Sequence, residues 1–595
     1  MEHSWVCYLG CCLENRNNNL ITIKMTDVGL TIVEGVATGA SAYKEPSKRN
    51  IGLLGQFIRG AGFSPVKITN MEDFNAIFGG QSASFFGPAI VKSIFDEAEN
   101  APVTMYLARV VGSDSAVANG AGVLSDGATM NVNAGYKGKD DPGTWANGIK
   151  VSLYSYSSRI KDMFTLTVQY GDNQEQYSYG TLSEIQTAVN KVSKYITIEF
   201  SKEIEKLVYK GIGGTITATT SSNEVTGVST KFTTDLVVGN VLYDSNKKII
   251  GTVAAISSDT KLILTSKALT AVSSASVTKR DDQIYTTTLE GGVDGDVQES
   301  DFYPIESTTD PKGLACFDGY DIQIIACTEF HSLSMAKVLN EYLKSKKNPI
   351  GVINLPLNAD EGTAELYALE LQTNQKSFLA AYMGWCKVPD ENGNGVLVPA
   401  IGPILGAAYI RTPYLQGNFI HIPPGGIDSL LNNVLEVIPA RLSQSSINKL
   451  VQQFSCNIIQ YVENTGYYVG SSRTYSTNKL YASVHIRMQT SYYLRALNSK
   501  MRFLEQKPNT PELKREALVE LNQFFKTEYD NGALERSVAF DQAYQGICDK
   551  SNNPSTQDRR ILNIDVLWIP TECTESVRIS LQRNDGILTS IETEA

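Results

Sequence analysis

The sequence predicts a multidomain α+β protein with an α/β middle region and an inserted all-β module. Three observations predict it. At 595 residues the chain is too long for a single hydrophobic core. Strand and helix patterns alternate across residues 315–410, as they must where helices cover a mostly parallel sheet. Residues 211–280 are dominated by Thr, Ser and Val, with turns at Gly227, Gly239, Asp244-Ser245 and Ser257-Ser258-Asp259, which is the composition of a compact β unit.

Residues 1–24 read as a leader. They hold Cys7, Cys11, Cys12 and the polar run Asn15 to Asn19, and Met25 then opens a segment that reads like a normal start. We expect translation to begin at Met25 and the leader to be disordered or untranslated. Residues 25–47 read as an N-terminal arm. Val28, Leu30 and Ile32 alternate with Gly29 and Thr31, the period of a strand, before a small polar stretch through Gly35, Thr38, Gly39 and Ser41. With no hairpin partner beside it, such a strand is expected to pair elsewhere.

Residues 48–210 form an α/β region. A short apolar strand is expected over 50–54. Asn70 caps a helix that buries Phe74, Ile77 and Phe78 and stops at Gly79-Gly80. A helix over 89–98 and strands over 103–111, 149–156 and 164–170 follow, with a helix near 183–193. The 211–280 module comes next. Residues 281–410 carry expected strands over 321–327, 350–355 and 378–385 and helices over 332–346 and 361–372. Residues 411–571 are α+β. Their clearest helix has Thr510 as its cap, Pro511 in the first position and Asn531-Gly532 at its end. Leu513, Ala517, Leu518, Leu521, Phe524 and Phe525 make its apolar stripe. Leu562, Ile564, Val566 and Trp568 then alternate with polar residues. Residues 572–595 read as a C-terminal arm, in which Val577, Ile579 and Leu581 alternate with Arg578, Ser580 and Gln582.

Composition narrows the function. Hydrophobic residues make up 42% and charged residues 19%, an ordinary globular balance. The net charge of -11 argues against wrapping nucleic acid, which needs clustered Lys and Arg. The longest apolar run, 396–410, is broken by Pro399, Gly402, Pro403 and Gly406 and is too short to span a bilayer. The N-terminus lacks the layout of a signal peptide, so cytoplasmic synthesis is expected. Nine scattered cysteines fit reduced core thiols better than a disulfide framework. Cys7, Cys11 and Cys12 have only His3 nearby, which falls short of a metal site.

Six segments, in one order, resemble the contractile tail sheath family. They are GLLGQFIRGAGFSPVKITNMEDFNAIFGG (52–80), MYLARV (105–110), GTWANGIKV (143–151), LEGGVDG (289–295), GAAYIRTPYLQGNFIHIPPGG (406–426) and SSRTYS (471–476). Ala146 stands where the family usually has Gly, and Pro424 replaces an Ala. The family positions carried over are Trp145, Gly291, Gly292, Asp294, Arg411, Gly417, Pro423, Arg473 and Thr474. The resemblance implies a subtilisin-like, non-catalytic fold for 281–410 and a C-terminal sheath domain over 411–571. It implies a structural subunit that polymerises in stacked six-fold layers around an inner tail tube. Contraction then drives the tube through a bacterial envelope. The implied partners are further copies of the chain, the inner tail tube protein, and baseplate and tail terminator proteins. The implied location is the tail of a virion assembled in the host cytoplasm. Val28, Leu30 and Ile32, with Val577, Ile579 and Leu581, are then the expected strands donated between subunits, and the 211–280 module is expected to face outward and be dispensable for assembly. The alternative is a baseplate or host-binding structural protein of the same particle.

No enzyme, cofactor or metal is expected. A subtilisin-like fold raises the question of a Ser-His-Asp triad, but there are only four histidines, His3, His331, His421 and His485, and none lies in a protease-like motif. GYKGKDD (135–141) fails the spacing of a phosphate-binding loop. DENGNG (390–395) opens like a calcium loop, with Asp390, Asn392 and Asn394 in place, but its twelfth position is Ile401 where a bidentate Glu is needed; a solvated turn is the better reading. Lys344, Lys346 and Lys347 suit a helix C-terminus. DRR (558–560) reads as a surface loop or an inter-subunit contact.

Overall fold

Strands that are mostly apolar must be covered on both faces, and here six mainly apolar strands lie side by side and parallel. The computed structural model describes residues 23–26, 29–32, 45–124, 127–157, 162–204, 209–280, 283–346, 348–390, 392–554, 556 and 560–574. Its central sheet runs in the order Gly466–Val469, Cys456–Val462, Leu379–Met383, Ile350–Asn354, Ile324–Cys327, Ile51–Gly55, Met105–Arg109, Val66–Ile68. Ile324 sits between Ile51 and Ile350 in parallel register, and only the two outer strands run antiparallel. Every residue of Ile51–Gly55, Ile324–Cys327 and Leu379–Met383 is buried. Helices Leu333–Lys346 and Glu361–Leu371 cover one face through Leu339, Leu343, Tyr367 and Leu371. Helices Phe86–Ala98 and Val484–Lys500 and the helical run 401–415 cover the other through Ile90, Ile94, Ile404, Tyr409 and Tyr492. The sheet thus draws strands from 48–210, 281–410 and 411–571 alike.

Gly402, Pro403 and Gly406 do not interrupt 401–415, as the apolar run suggested. It is one continuous helical run, with a π-helical stretch over Leu405–Arg411. Pro403 lies in the first turn, where no intrahelical partner is lost. A Cβ on Gly406 would lie 2.5 Å from the Ile94 carbonyl, so this glycine lets helix Phe86–Ala98 approach closely.

A second core fills 118–204. Strands Asn119–Val123, Thr129–Tyr136 and Ile196–Phe200 make one sheet, and Lys150–Ser157, Asp162–Tyr170 and Asn173–Tyr179 another. Met130, Val132, Leu153, Leu166, Ile185 and Ile198 pack between them and helix Leu182–Val192, which a Thr181–Glu184 capping box starts. Strand Gln283–Thr288 pairs with Lys150–Ser157 and so belongs to this unit; the boundary expected at 281 falls inside it.

Between the two halves of that unit sits the Thr- and Ser-rich module, with a core of its own through Ile216, Val225, Phe232, Leu242, Val253 and Leu262. It enters and leaves through one antiparallel pair, Tyr209–Gly211 against Thr278–Arg280.

The C-terminal region packs against the main core. Helix Pro511–Asp530 begins at the Thr510 cap, as expected, and buries Leu513, Ala517, Leu521, Phe524 and Phe525. Tyr493 meets Phe524, Phe525 and Trp568 edge-on at 5.5, 5.3 and 5.0 Å. Tyr544–Ile547 and Asp565–Trp568 form a two-stranded sheet. The strand expected from Leu562 is shorter than the alternation suggested, and Leu562 and Ile564 precede it.

At the N-terminus, Gly29–Ile32 pairs antiparallel with Ile23–Thr26, with Met25 opposite Leu30. The expectation that this strand has no hairpin partner is therefore corrected: a two-residue connection is enough to fold it back on its own chain. Val28 lies outside the described residues, as do residues 1–22 and the segment 575–595 with Val577, Ile579 and Leu581.

Candidate functional site

Three buried polar joints, rather than a cleft, collect the residues singled out in the sequence. The first lies where the central sheet meets the 118–204 unit. Arg109 ends its strand almost fully buried. Its Nη1 donates to the Gly60 carbonyl at 3.2 Å, to Asp141 Oδ1 at 3.1 Å and to the Pro142 carbonyl at 2.6 Å, and its Nη2 donates to Asp294 Oδ1 at 3.3 Å. Asp141 Oδ1 also accepts the Gly60 N–H at 2.8 Å and the Trp145 indole N–H at 3.2 Å. Asp294 accepts the Thr144 N–H at 3.2 Å and the Thr144 hydroxyl. Gly292 exchanges hydrogen bonds with the Asn147 side chain, and a Cβ on it would lie 2.3 Å from the Gly143 carbonyl. Gly291 has φ +78, the left-handed region that suits glycine. The guanidinium of Arg59 lies 5.0 Å from the Trp145 ring centre. Burial pushes the Asp141 carboxyl up to about 6, against the pull of Arg109 and the Gly60 N–H.

The second joint is built on Arg411. Its Nη1 donates to the Glu97 carbonyl at 2.9 Å, to the Glu97 carboxylate at 3.3 Å and to Glu99 at 2.9 Å, while Nη2 donates to the Leu430 carbonyl. Glu97 is fully buried and accepts the N–H groups of Asn432 and Asn433 at 3.0 and 2.7 Å. Burial raises its carboxyl, and the two N–H groups and Arg411 oppose that. Gly417, at φ +86, and Pro423 lie in the loop that leads from this helical run to Gly426, whose N–H reaches the Val469 carbonyl.

The third joint closes the other end of the sheet. The buried Asn457 side chain accepts the Arg473 N–H at 2.6 Å and donates to the Arg473 and Ala381 carbonyls at 2.8 and 3.0 Å. Thr474 bonds the Ala482 and Tyr481 carbonyls, fixing the loop before helix Val484–Lys500. Trp145, Gly292 and Asp294 are thus brought together with Arg109. Arg411 and the Arg473-Thr474 pair stand at separate joints.

Sequence reading passed over Asp141, Glu97 and Asn457. Asp141 lay inside a rejected phosphate-loop match. Glu97 carried a usable signal, because it follows Ile90 and Ile94 at helical spacing on the buried stripe of its helix.

The remaining chemistry-bearing groups are held for packing. His331, His421 and His485 are pushed down to about 4 by burial. Among the described residues, none of these imidazoles bonds a serine hydroxyl or a carboxylate, and no three His, Cys, Asp or Glu side chains meet as metal ligands would. Asp390 Oδ1 accepts the N–H groups of Asn392 and Asn394, both at 2.8 Å, and turns a hairpin between Trp385–Pro389 and Gly395–Pro399. Cys316, Cys327, Cys386, Cys456 and Cys548 are free and buried. No helix is long and apolar enough to cross a membrane, among the described residues.

Glu329 is different. It follows the strand Ile324–Cys327, at the carboxyl end of the parallel sheet. There it accepts the Gln56 and Gly87 N–H groups, each at 3.1 Å, and the Thr328 hydroxyl, so one carboxyl ties two strand ends to the first turn of helix Phe86–Ala98. Cys327 and His331 are its titratable neighbours along the chain. Burial pushes Glu329 up to about 7 from an ordinary 4.5. A carboxyl raised in the fold binds its proton more tightly there than in the unfolded chain. Its contribution to stability is therefore complete below about 4.5 and lost as pH rises through about 7. The urea midpoint is expected to fall between pH 5 and pH 8, and Glu329→Gln is expected to flatten that dependence. Equal slopes for the two proteins would contradict it.

No family model matches the chain, and no curated protein matches it in sequence. Solved structures do match. A sheath tail protein from Listeria innocua superposes with a TM-score of 0.50 at 12% identity, over 89% of this chain and 96% of its own. A sheath tail protein from Desulfitobacterium hafniense matches at a TM-score of 0.46 and 11% identity, over 86% of this chain and 93% of its own. The helical sheath of the anti-feeding prophage in its contracted state matches at 0.37 and 16% identity, over 44% of this chain and 70% of its own. With the doubly covered parallel sheet in place and the likeness to the Listeria protein extending over nearly the whole chain, the fold is that of a tail sheath protein.

Proposed function

We propose that the chain is the structural subunit of a contractile tail sheath. It stacks in six-fold layers around an inner tail tube and shortens to drive that tube through a bacterial envelope for genome delivery. It meets the tail tube, baseplate and terminator proteins as part of a virion tail, and it works without catalysis. The observation that carries this reading is the sheath fold shared over 89% of the chain. In this reading the central α/β layer corresponds to the subtilisin-like part of sheath proteins, used as a rigid body. The module at 211–280 faces outward, and assembly does not need it.

Connection between subunits falls to the arms. The sheet of Tyr544–Ile547 and Asp565–Trp568 has only two strands among the described residues, and two strands alone are marginal in water. The strand around Leu30 and Ile32, and the one around Val577, Ile579 and Leu581, have the alternation needed to extend such a sheet on a neighbouring copy. Each backbone hydrogen bond so formed adds roughly 0.5–1.5 kcal/mol net. Head-to-tail contacts that do not close into a ring build an open helix. Deleting 25–33 or 576–582 is expected to abolish tubes in electron micrographs while leaving a folded monomer. Normal tubes from both deletions would overturn the role given to the arms.

A further inference from the structure

The central sheet has a switch point. From Ile51–Gly55 the chain crosses through helix Phe86–Ala98 to Met105–Arg109 on one side. From Ile324–Cys327 it crosses through helix Leu333–Lys346 to Ile350–Asn354 on the other. The two helices cover opposite faces of the sheet. Two neighbouring parallel strands therefore send their connections apart, which leaves a crevice between them at their carboxyl ends. In open α/β sheets a ligand sits at such a point, with its anionic group at the N-terminus of a crossover helix.

Here the crevice is filled from within. Each oxygen of the Glu329 carboxylate takes a backbone donor from a different element. Oε1 accepts the Gly87 N–H in the first turn of helix Phe86–Ala98, and Oε2 accepts the Gln56 N–H just past Ile51–Gly55, both at 3.1 Å. The Thr328 hydroxyl also donates to Oε2, and the Phe86 N–H is a further donor to the carboxylate. Together these donors hold down a carboxyl that burial pushes up. Glycine permits the approach. A Cβ on Gly87 would lie 2.5 Å from the Gln56 carbonyl, and one on Gly55 would overlap the Thr328 hydroxyl. Phe86 and His331 each meet the Trp385 ring edge-on, at 5.4 and 5.5 Å. His331 Nε2 is buried there with no hydrogen-bond partner among the described residues.

We propose that Glu329 is a built-in plug: the chain's own carboxylate occupies an oxyanion site at the switch point and keeps small carboxylates and phosphates out of it. This role is independent of the sheath reading. It gives the middle layer the geometry of a ligand-binding sheet with its site already filled. Donors from a strand end, a helix start and a hydroxyl converge on one carboxylate, as they would on the anionic group of a bound ligand.

The test removes the plug from the full chain and offers a replacement. Glu329→Ala lacks the fragment that acetate supplies, and phosphate probes the site with a tetrahedral oxyanion. Urea midpoints are read at pH 8, where Glu329 itself is ionised, in acetate, phosphate and chloride of matched ionic strength. In chloride, Glu329→Ala is expected to unfold at lower urea than the wild type. In acetate or phosphate it is expected to regain stability saturably. At about 100 times the anion's Kd its folded-to-unfolded ratio rises about a hundredfold. The wild type and Glu329→Gln keep the site filled, so their response to each salt sets the baseline. No saturable gain for Glu329→Ala above that baseline overturns the proposal. An equal gain in Glu329→Gln also overturns it, by placing the anion elsewhere. Should Glu329→Ala not fold in chloride, folding in acetate or phosphate is the same supporting result, and failure in every salt overturns the proposal.

Discussion

Replacing Arg109 with alanine is expected to lower stability by about 3–5 kcal/mol, the scale seen when one partner of a buried ion pair is removed. The cost comes from what is left behind. Asp141 stays fully buried, its Oδ1 still held by Gly60 and Trp145, but its Arg109 partner is gone and only the weaker pull of Arg59 remains. The carbonyls of Gly60 and Pro142 lose a donor as well. Because the joint ties the central sheet to the 118–204 unit, the lost energy should appear as earlier unfolding of that unit. Trp145 sits within the joint and reports on it by fluorescence. The double variant Arg109→Ala/Asp141→Asn should recover part of the loss, since it removes the buried charge. An unchanged urea midpoint for Arg109→Ala would show that the joint contributes nothing.

Arg411→Ala is expected to cost a similar amount at the other side of the core, again about 3–5 kcal/mol. Here the stranded group is Glu97, wholly buried at the end of helix Phe86–Ala98 and bonded to the Asn432 and Asn433 N–H groups. Arg411→Lys should restore little, because a single ammonium cannot reach the Glu97 carbonyl and carboxylate, Glu99 and the Leu430 carbonyl that the fork spans. Arg411→Ala/Glu97→Gln should be more stable than Arg411→Ala. Full restoration by lysine in thermal or urea unfolding would show that charge alone, not the fork, matters.

Much of the architecture was legible because its signals are local. The Thr510 cap with Pro511, the Asn70 cap with Gly79, and the apolar strands of the central sheet all sit within a few residues of the structure they specify. The inserted module announced itself by composition and has its own core. What could not be read was pairing across long separations. Ile51 lies beside Ile324, and the strand Gln283–Thr288 returns to Lys150–Ser157 after the module. Periodicity carries no information on either. For the same reason the sequence marked Trp145 in one motif and Gly292 and Asp294 in another, although Arg109 stands where the two meet at one joint. Asp141 escaped notice because two of its partners, Arg109 and the Gly60 N–H, lie 32 and 81 residues away. The arm strand was visible as a strand, but its hairpin with Ile23–Thr26 crossed into the stretch read as leader.

The central claim is that this chain is built to polymerise. Negative-stain electron microscopy of the purified full-length protein tests it most directly. Long hollow tubes with regular transverse striations are expected. Monodisperse particles at every concentration, including for the chain started at Met25, would contradict it.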